Sequence, residues 1–166
     1  MRFQVYLKLL VFAFLLLYFS SCKDEKTITS EAKVVPSFKK EGILTLRKTE
    51  SDSIIKTLDI EIADNDYEIQ TGLMYRTQLE TNHGMLFILE EEKFQNFYMK
   101  NTRIPLDIIY IDSNNTIVSF QKNAKPMDET SLPSEAPAKY VLEINAGLSD
   151  AWELAVGDVI SFEVLD

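Results

Sequence analysis

The stretch Leu58-Asp59-Ile60-Glu61-Ile62 alternates apolar and acidic residues with a period of two. That period matches a strand with one buried face and no helical stripe. The same character returns at Ile43, Leu44 and Leu46, at Tyr140, Leu142 and Ile144, and at Ile160, Phe162 and Val164. Met85–Leu89 is instead an unbroken apolar run, as expected of a buried strand, and Leu106–Ile111, apolar apart from Asp107, reads as another strand. Polar turn sequences separate these runs: Lys48–Ser53, Thr81-Asn-His-Gly84 and Asp112-Ser-Asn-Asn115, the last joining Leu106–Ile111 to Thr116–Gln121 as a hairpin.

Two short helices fit between the strands. Asp64 or Asn65 caps one that runs through Tyr75-Arg76, with Ile69, Leu73 and Met74 on one side. Gly72 inside it weakens a helix by roughly 1 kcal/mol relative to alanine and points to close backbone packing or an early end. The second helix starts at Ser149 and carries Trp152, Leu154 and Ala155. Phe94–Lys100 reads as a further strand, Asn101–Pro105 as a loop, and Asn123–Ala138, with Pro126, Pro133 and Pro137, as a long loop. About eight strands against two short helices predict a mainly β domain, a compact antiparallel barrel or sandwich.

The chain begins with a different kind of segment. Arg2 and Lys8 precede the apolar run Leu9–Phe19, which is followed by Ser20, Ser21 and Cys22. This run is well short of the ~20 residues a membrane-spanning helix needs, and its three parts are those of a secretory signal. Cys22 is the only cysteine. Its place resembles the acylation site of a bacterial lipoprotein, which needs a thiolate to take up the diacylglyceryl group. The expected organisation is a signal peptide over 1–21, an acylated flexible tether over 22–41, and one β-rich domain over 42–166. Lys23-Asp24-Glu25 resembles the Lys-acidic-acidic string that sends some lipoproteins to the cell surface. The expected location is the cell envelope, lipid-anchored at the outer membrane on its periplasmic or surface face.

Charge and composition narrow the partners. The net charge is −9, and loss of Arg2 and Lys8 with the signal makes it two units more negative. Such a surface repels phosphate backbones, so no nucleic-acid partner is expected. With one histidine and no thiol left after acylation, no metal or other cofactor is expected either.

Three blocks carry a family resemblance. They are Glu68-Ile-Gln-Thr-Gly-Leu-Met-Tyr-Arg76; Gly84-Met-Leu-Phe87 with Phe97-Tyr-Met-Lys-Asn-Thr-Arg-Ile-Pro-Leu-Asp107; and Tyr140-Val-Leu-Glu-Ile-Asn-Ala-Gly147. Their order and spacing resemble domain-of-unknown-function family 192, small envelope or secreted proteins of bacteria and archaea, over about Leu58 to Val164. The resemblance implies a compact β barrel or sandwich and assigns no chemistry. Tyr98 stands where tryptophan is usual, and Leu89 where phenylalanine is common.

Lys100-Asn101-Thr102-Arg103 is the most unusual polar run, stopped by Ile104-Pro105. Joined by Arg76, Asp107, Glu143 and Asn145, it defines a candidate binding patch. Arg76 or Lys100 would hold a carboxylate or phosphate while Asn101 and Thr102 fix its orientation. The competing structural reading has Asn101 and Thr102 satisfying a tight turn and Arg76 pairing with Asp107 or Glu143. Met74, Met85 and Met99 read as core fillers, and His83 as a solvated turn residue. The favoured function is a non-enzymatic, membrane-anchored module that binds a small polar ligand, a glycan or an envelope protein. The alternative is an envelope hydrolase acting on glycan or cell wall through a Glu143–Asp107 carboxylate pair.

Overall fold

The computed structural model describes residues 36–165. The expected signal peptide, Cys22 and the tether up to residue 35 lie outside them. Seven strands follow in chain order: β1 (Gly42–Arg47), β2 (Ile54–Ala63), β3 (His83–Phe97), β4 (Leu106–Ile111), β5 (Ile117–Ala124), β6 (Leu132–Asn145) and β7 (Val159–Val164). Helix α1 (Asp66–Thr71) lies between β2 and β3, and α2 (Leu148–Ala151) between β6 and β7. The domain is therefore mainly β: one curled seven-stranded sheet, a half-barrel, with two short helices.

The strand order is β5-β4-β6-β3-β2-β1-β7. Every pairing is antiparallel except β2 with β3, where Ile60 faces Gly84 and Ala63 faces Phe87. A parallel pair cannot close through a tight turn, so residues 64–82, with α1 among them, cross over the sheet. The curl brings the two edge strands together at one end. Thr116 bridges Val159, and the Ile117 amide donates to the Asp158 carbonyl at 2.8 Å.

Alternation along the strands divides the apolar residues between two cores. Leu44, Leu46, Leu58, Ile60, Leu86, Ile109, Leu142 and Ile144 fill the concave face. On the other face, Met85, Phe87, Leu106, Ile108, Tyr110 and Val141 are covered by Leu73, Met99 and Ile104 from the crossing segments. Strand β4, the Gly84–Phe87 part of β3 and the Val141–Ile144 part of β6 are thus buried on both sides, which is why these stretches are largely apolar.

Three boundaries differ from expectation. Helix α1 ends at Thr71 because Gly72 turns the chain at φ +46. A Cβ at Gly72 would lie only 2.9 Å from Phe87 Cζ, so the close approach and the early end have one cause. The two runs Met85–Leu89 and Phe94–Lys100 are one strand of 15 residues that stops at Phe97. The long proline-containing loop is half strand: β6 begins at Leu132, with Pro133 opposite Asn96 and Pro137 opposite Phe94. Prolines cost a ladder donor, and Ser134 between them compensates. Its hydroxyl accepts from the Gln95 amide at 2.9 Å and donates to the Ala136 carbonyl at 2.5 Å.

Candidate functional site

The seven residues of the expected patch do not meet at one place. Strand parity puts Asp107 on the concave face, fully buried, where it accepts the Asn123 and Ser149 amides, each at 2.9 Å. Both its oxygens are thereby committed to backbone. Arg76 is buried as well and pairs with neither Asp107 nor Glu143. Its Nη2 donates to Glu61 Oε1 at 2.7 Å, and the Lys39 amide reaches the same oxygen at 3.1 Å. Asn145 donates to the Leu79 carbonyl at 2.7 Å, pinning the crossover segment. Lys100 has half its side chain in solvent, 4.0 Å from Glu129.

Residues Met99–Thr102 form a turn, so the strand geometry expected for Lys100–Thr102 does not hold. Asn101 adopts φ +57, a conformation asparagine tolerates better than most residues. Its carbonyl accepts from the Tyr75 amide at 2.9 Å, and the Thr102 carbonyl accepts from Met127 at 2.9 Å. The polar run is a clasp joining two loops. His83 also differs from expectation: it is half-buried, its ring stacked on Phe38 with centroids 3.7 Å apart.

Two of the seven, Thr102 and Glu143, do share a site. They line a cavity of about 240 Å³ on the convex side of the sheet. Phe87, Leu89 and Phe97 of β3 contribute apolar surface; Ile69–Met74 from α1 and the residues after it form one wall; Tyr98 and Thr102 form another. The Phe87 and Phe97 rings meet edge to face at 5.1 Å, and Phe97 meets Tyr110 likewise at 6.0 Å. Tyr110 is fixed in turn by a 2.5 Å hydrogen bond from its hydroxyl to the Leu132 carbonyl. Such a chain of aromatic contacts makes a rigid floor.

Glu143 is the one acidic residue lining this cavity. It projects from β6 between Met85 of β3 and Ile108 of β4, its register partners. The residue is only 5% exposed, and Oε2 lies 3.9 Å from where a Cβ on Gly72 would be. Among the described residues no side chain or amide forms a hydrogen bond or ion pair with its carboxyl. Burial pushes its pKa up to about 8, so at neutral pH the group is mostly protonated. It also raises the pKa of Tyr110, second to that ring's own burial. Chemically, the site offers a neutral carboxylic acid able to donate one hydrogen bond, or a carboxylate once something stabilises the charge.

Sequence reasoning placed Glu143 on the correct strand and gave it the wrong companions. Its signal is visible: a lone acidic residue within the apolar run Val141-Leu142-Glu143-Ile144. Gln95, Asn96 and Phe97 line the cavity without any such signal, because β3 and β6 pair through irregular register there. Tyr98 and Leu89 line it as well. Met85 and Met99 are core fillers as expected, whereas Met74 borders the cavity.

Several known proteins resemble this chain. A UPF0127 protein of Thermococcus sibiricus is 31% identical over 110 residues, 63% of this chain and 66% of that protein, just under two thirds of its length. A UPF0127 protein of Thermococcus gammatolerans is 30% identical over 112 residues, covering 64% of this chain and 68% of the relative. A crystal structure from Novosphingobium aromaticivorans, described as a protein of unknown function, superposes with a TM-score of 0.68 at 35% identity, covering 72% of this chain and 83% of that one. Another from Sinorhizobium meliloti, described as a putative transcription regulator, gives 0.71 at 34% identity and covers 76% of this chain and 98% of that one. The family model DUF192, described as Uncharacterized ACR, matches residues 46–162, and this chain belongs to that family.

Proposed function

We propose that this chain is a non-enzymatic binding module, held at the cell envelope by a lipid on Cys22, and that it takes a small ligand in the Glu143 cavity. One observation carries the ligand reading: a buried carboxyl with no protein partner borders an open, aromatic-lined space. Its oxygens reach that space rather than being sealed from it, so a ligand there would meet a hydrogen-bonding group that no neighbouring side chain occupies. A concave site in which polar side chains, here Gln70, Gln95, Asn96 and Thr102 among them, accompany aromatic and apolar surface suits small-molecule recognition.

The anchoring half of the proposal is supported by the signal-like residues 1–21 ending at the only cysteine. An outer-membrane position on either face is the location we favour, and two or more acyl chains suffice for stable attachment. The acidic balance of the chain argues against extending the regulator description of the Sinorhizobium meliloti protein to DNA contact here. A carboxylate-pair hydrolase finds no support, because Glu143 and Asp107 project from opposite faces of the sheet and cannot flank one bond.

The test is a fragment titration followed by amide NMR. Ligands of the cavity are expected to shift Thr71–Met74 and Phe97–Thr102 and to lose affinity in Glu143→Gln. Fragments that shift only other surfaces overturn the cavity reading. Palmitate labelling should vanish in Cys22→Ser, and label that persists overturns the anchor.

A further inference from the structure

We infer that the cavity's ligand is an organic ammonium, a primary amine on a short apolar body, received by the Glu143 carboxylate among Phe87, Phe97 and Tyr98. The inference rests on reading this cavity as a ligand site and names the class of ligand. None of the described residues lining it is Lys, Arg or His, so an anionic group would enter without a countercharge. Glu143 is the sole lining side chain that can carry a full charge at neutral pH, and the net charge of −9 draws cations toward the protein. Aromatic rings attract a cation through their faces, an effect that strengthens where water is excluded.

Among the other polar side chains lining the cavity, Thr102 suits an ammonium, which has three donors and no acceptor. Thr102 Oγ1 donates to the Lys100 carbonyl at 3.4 Å, leaving its lone pairs to accept. A volume of about 240 Å³ is enough for about eight heavy atoms at the ~30 Å³ a water occupies in the liquid. An alkylammonium of five or six carbons fits that space, whether as a free amine or as a lysine side chain.

Binding is coupled to a proton. The free carboxyl carries its proton at pH 7; the ammonium enters with its own three, and the Glu143 proton leaves to solvent as the ion pair forms. The other charged or titratable groups nearby do not replace this partner. Tyr110 on β4 stays protonated, since its pKa is raised. Glu61 and Arg76, across Met85 on β2 and the crossover, are paired with each other. Tyr98 stands at the rim, while Met85 and Phe87 on β3 and Gln70 and Thr71 at α1 do not titrate.

Calorimetry with pentylammonium, Nα-acetyl-lysine methylamide, pentanol and pentanoate tests this on the wild-type chain and Glu143→Gln. Only the ionised carboxyl holds the cation, so with a pKa of about 8 its affinity is expected to rise about fifty-fold between pH 6 and pH 8. About one proton per ligand should be released at pH 7, seen as a dependence of heat on buffer ionisation. A ¹³C spectrum of labelled glutamate should show Glu143 turning ionised at pH 7 on saturation, a readout independent of the variant's folding. Binding of pentylammonium but not the lysine derivative identifies a free amine, the reverse identifies a lysine side chain, and binding of both shows a site that admits either form of the cation. Pentanol or pentanoate binding in preference, with no rise toward pH 8, overturns the cation while leaving the cavity a ligand site. No binding by any of the four overturns both readings.

Discussion

Replacing Glu143 with glutamine should make the protein more stable at neutral pH and remove most of its loss of stability toward alkaline pH. In the folded chain burial lifts this carboxyl from an ordinary 4.5 to about 8. A folded-state pKa above the unfolded value means the native state binds the extra proton. The associated stability is therefore complete below pH 4.5 and is lost progressively as pH rises to 8. At about 1.4 kcal/mol per unit, the full loss is about 5 kcal/mol, of which about 3 kcal/mol has gone by pH 7. For a domain of this size that corresponds to a drop in Tm on the order of 10 °C between pH 4.5 and pH 7. Glutamine has nearly the same shape and no charge, so its own contribution is flat with pH. Thermal melts followed by circular dichroism at pH 5, 6, 7 and 8 give the difference between the two chains, in which the other carboxylates and the net charge cancel. Parallel Tm curves for wild type and variant across that range would refute the assignment of a strongly raised pKa to Glu143.

Other substitutions separate scaffold from site. Arg76→Ala leaves Glu61 buried without its cation and should cost about 3–5 kcal/mol in urea unfolding. Asp107→Ala removes the acceptor of two backbone amides and should destabilise by about 3 kcal/mol while a folded fraction keeps any affinity of the Glu143 cavity. Gly72→Ala combines a Cβ 2.9 Å from Phe87 with a left-handed φ and should cost about 1–3 kcal/mol, read from the same melts. Lys100→Ala, at an exposed side chain with only a 4.0 Å neighbour, should change stability by less than about 1 kcal/mol.

Much of the sheet was legible because a period of two survives wherever one face is buried, as in Leu58, Ile60 and Ile62. The unbroken run Met85–Leu89 also announced a buried strand. What escaped was decided by pairing rather than by local pattern. Pro133 and Pro137 signal a loop by themselves, and only the Ser134 hydroxyl and the irregular register opposite Phe94 and Asn96 let β6 begin so early. The site was misjudged for a related reason. Polar residues close in sequence were grouped together, yet parity sends Asp107 to one face of the sheet and Glu143 to the other. Arg76 found its carboxylate on β2, a strand whose parallel partnership with β3 no local signal could supply.

The pairing of β7 with β1 has a consequence for how the molecule comes into being. Leu44 sits opposite Phe162 and Leu46 opposite Ile160, so the concave core lacks part of its wall until β7 is available. A nascent chain short of residue 159 leaves one side of β1 unpaired, and contacts of such long sequence separation form slowly. Docking of β7 on β1 is thus the event that seals this core.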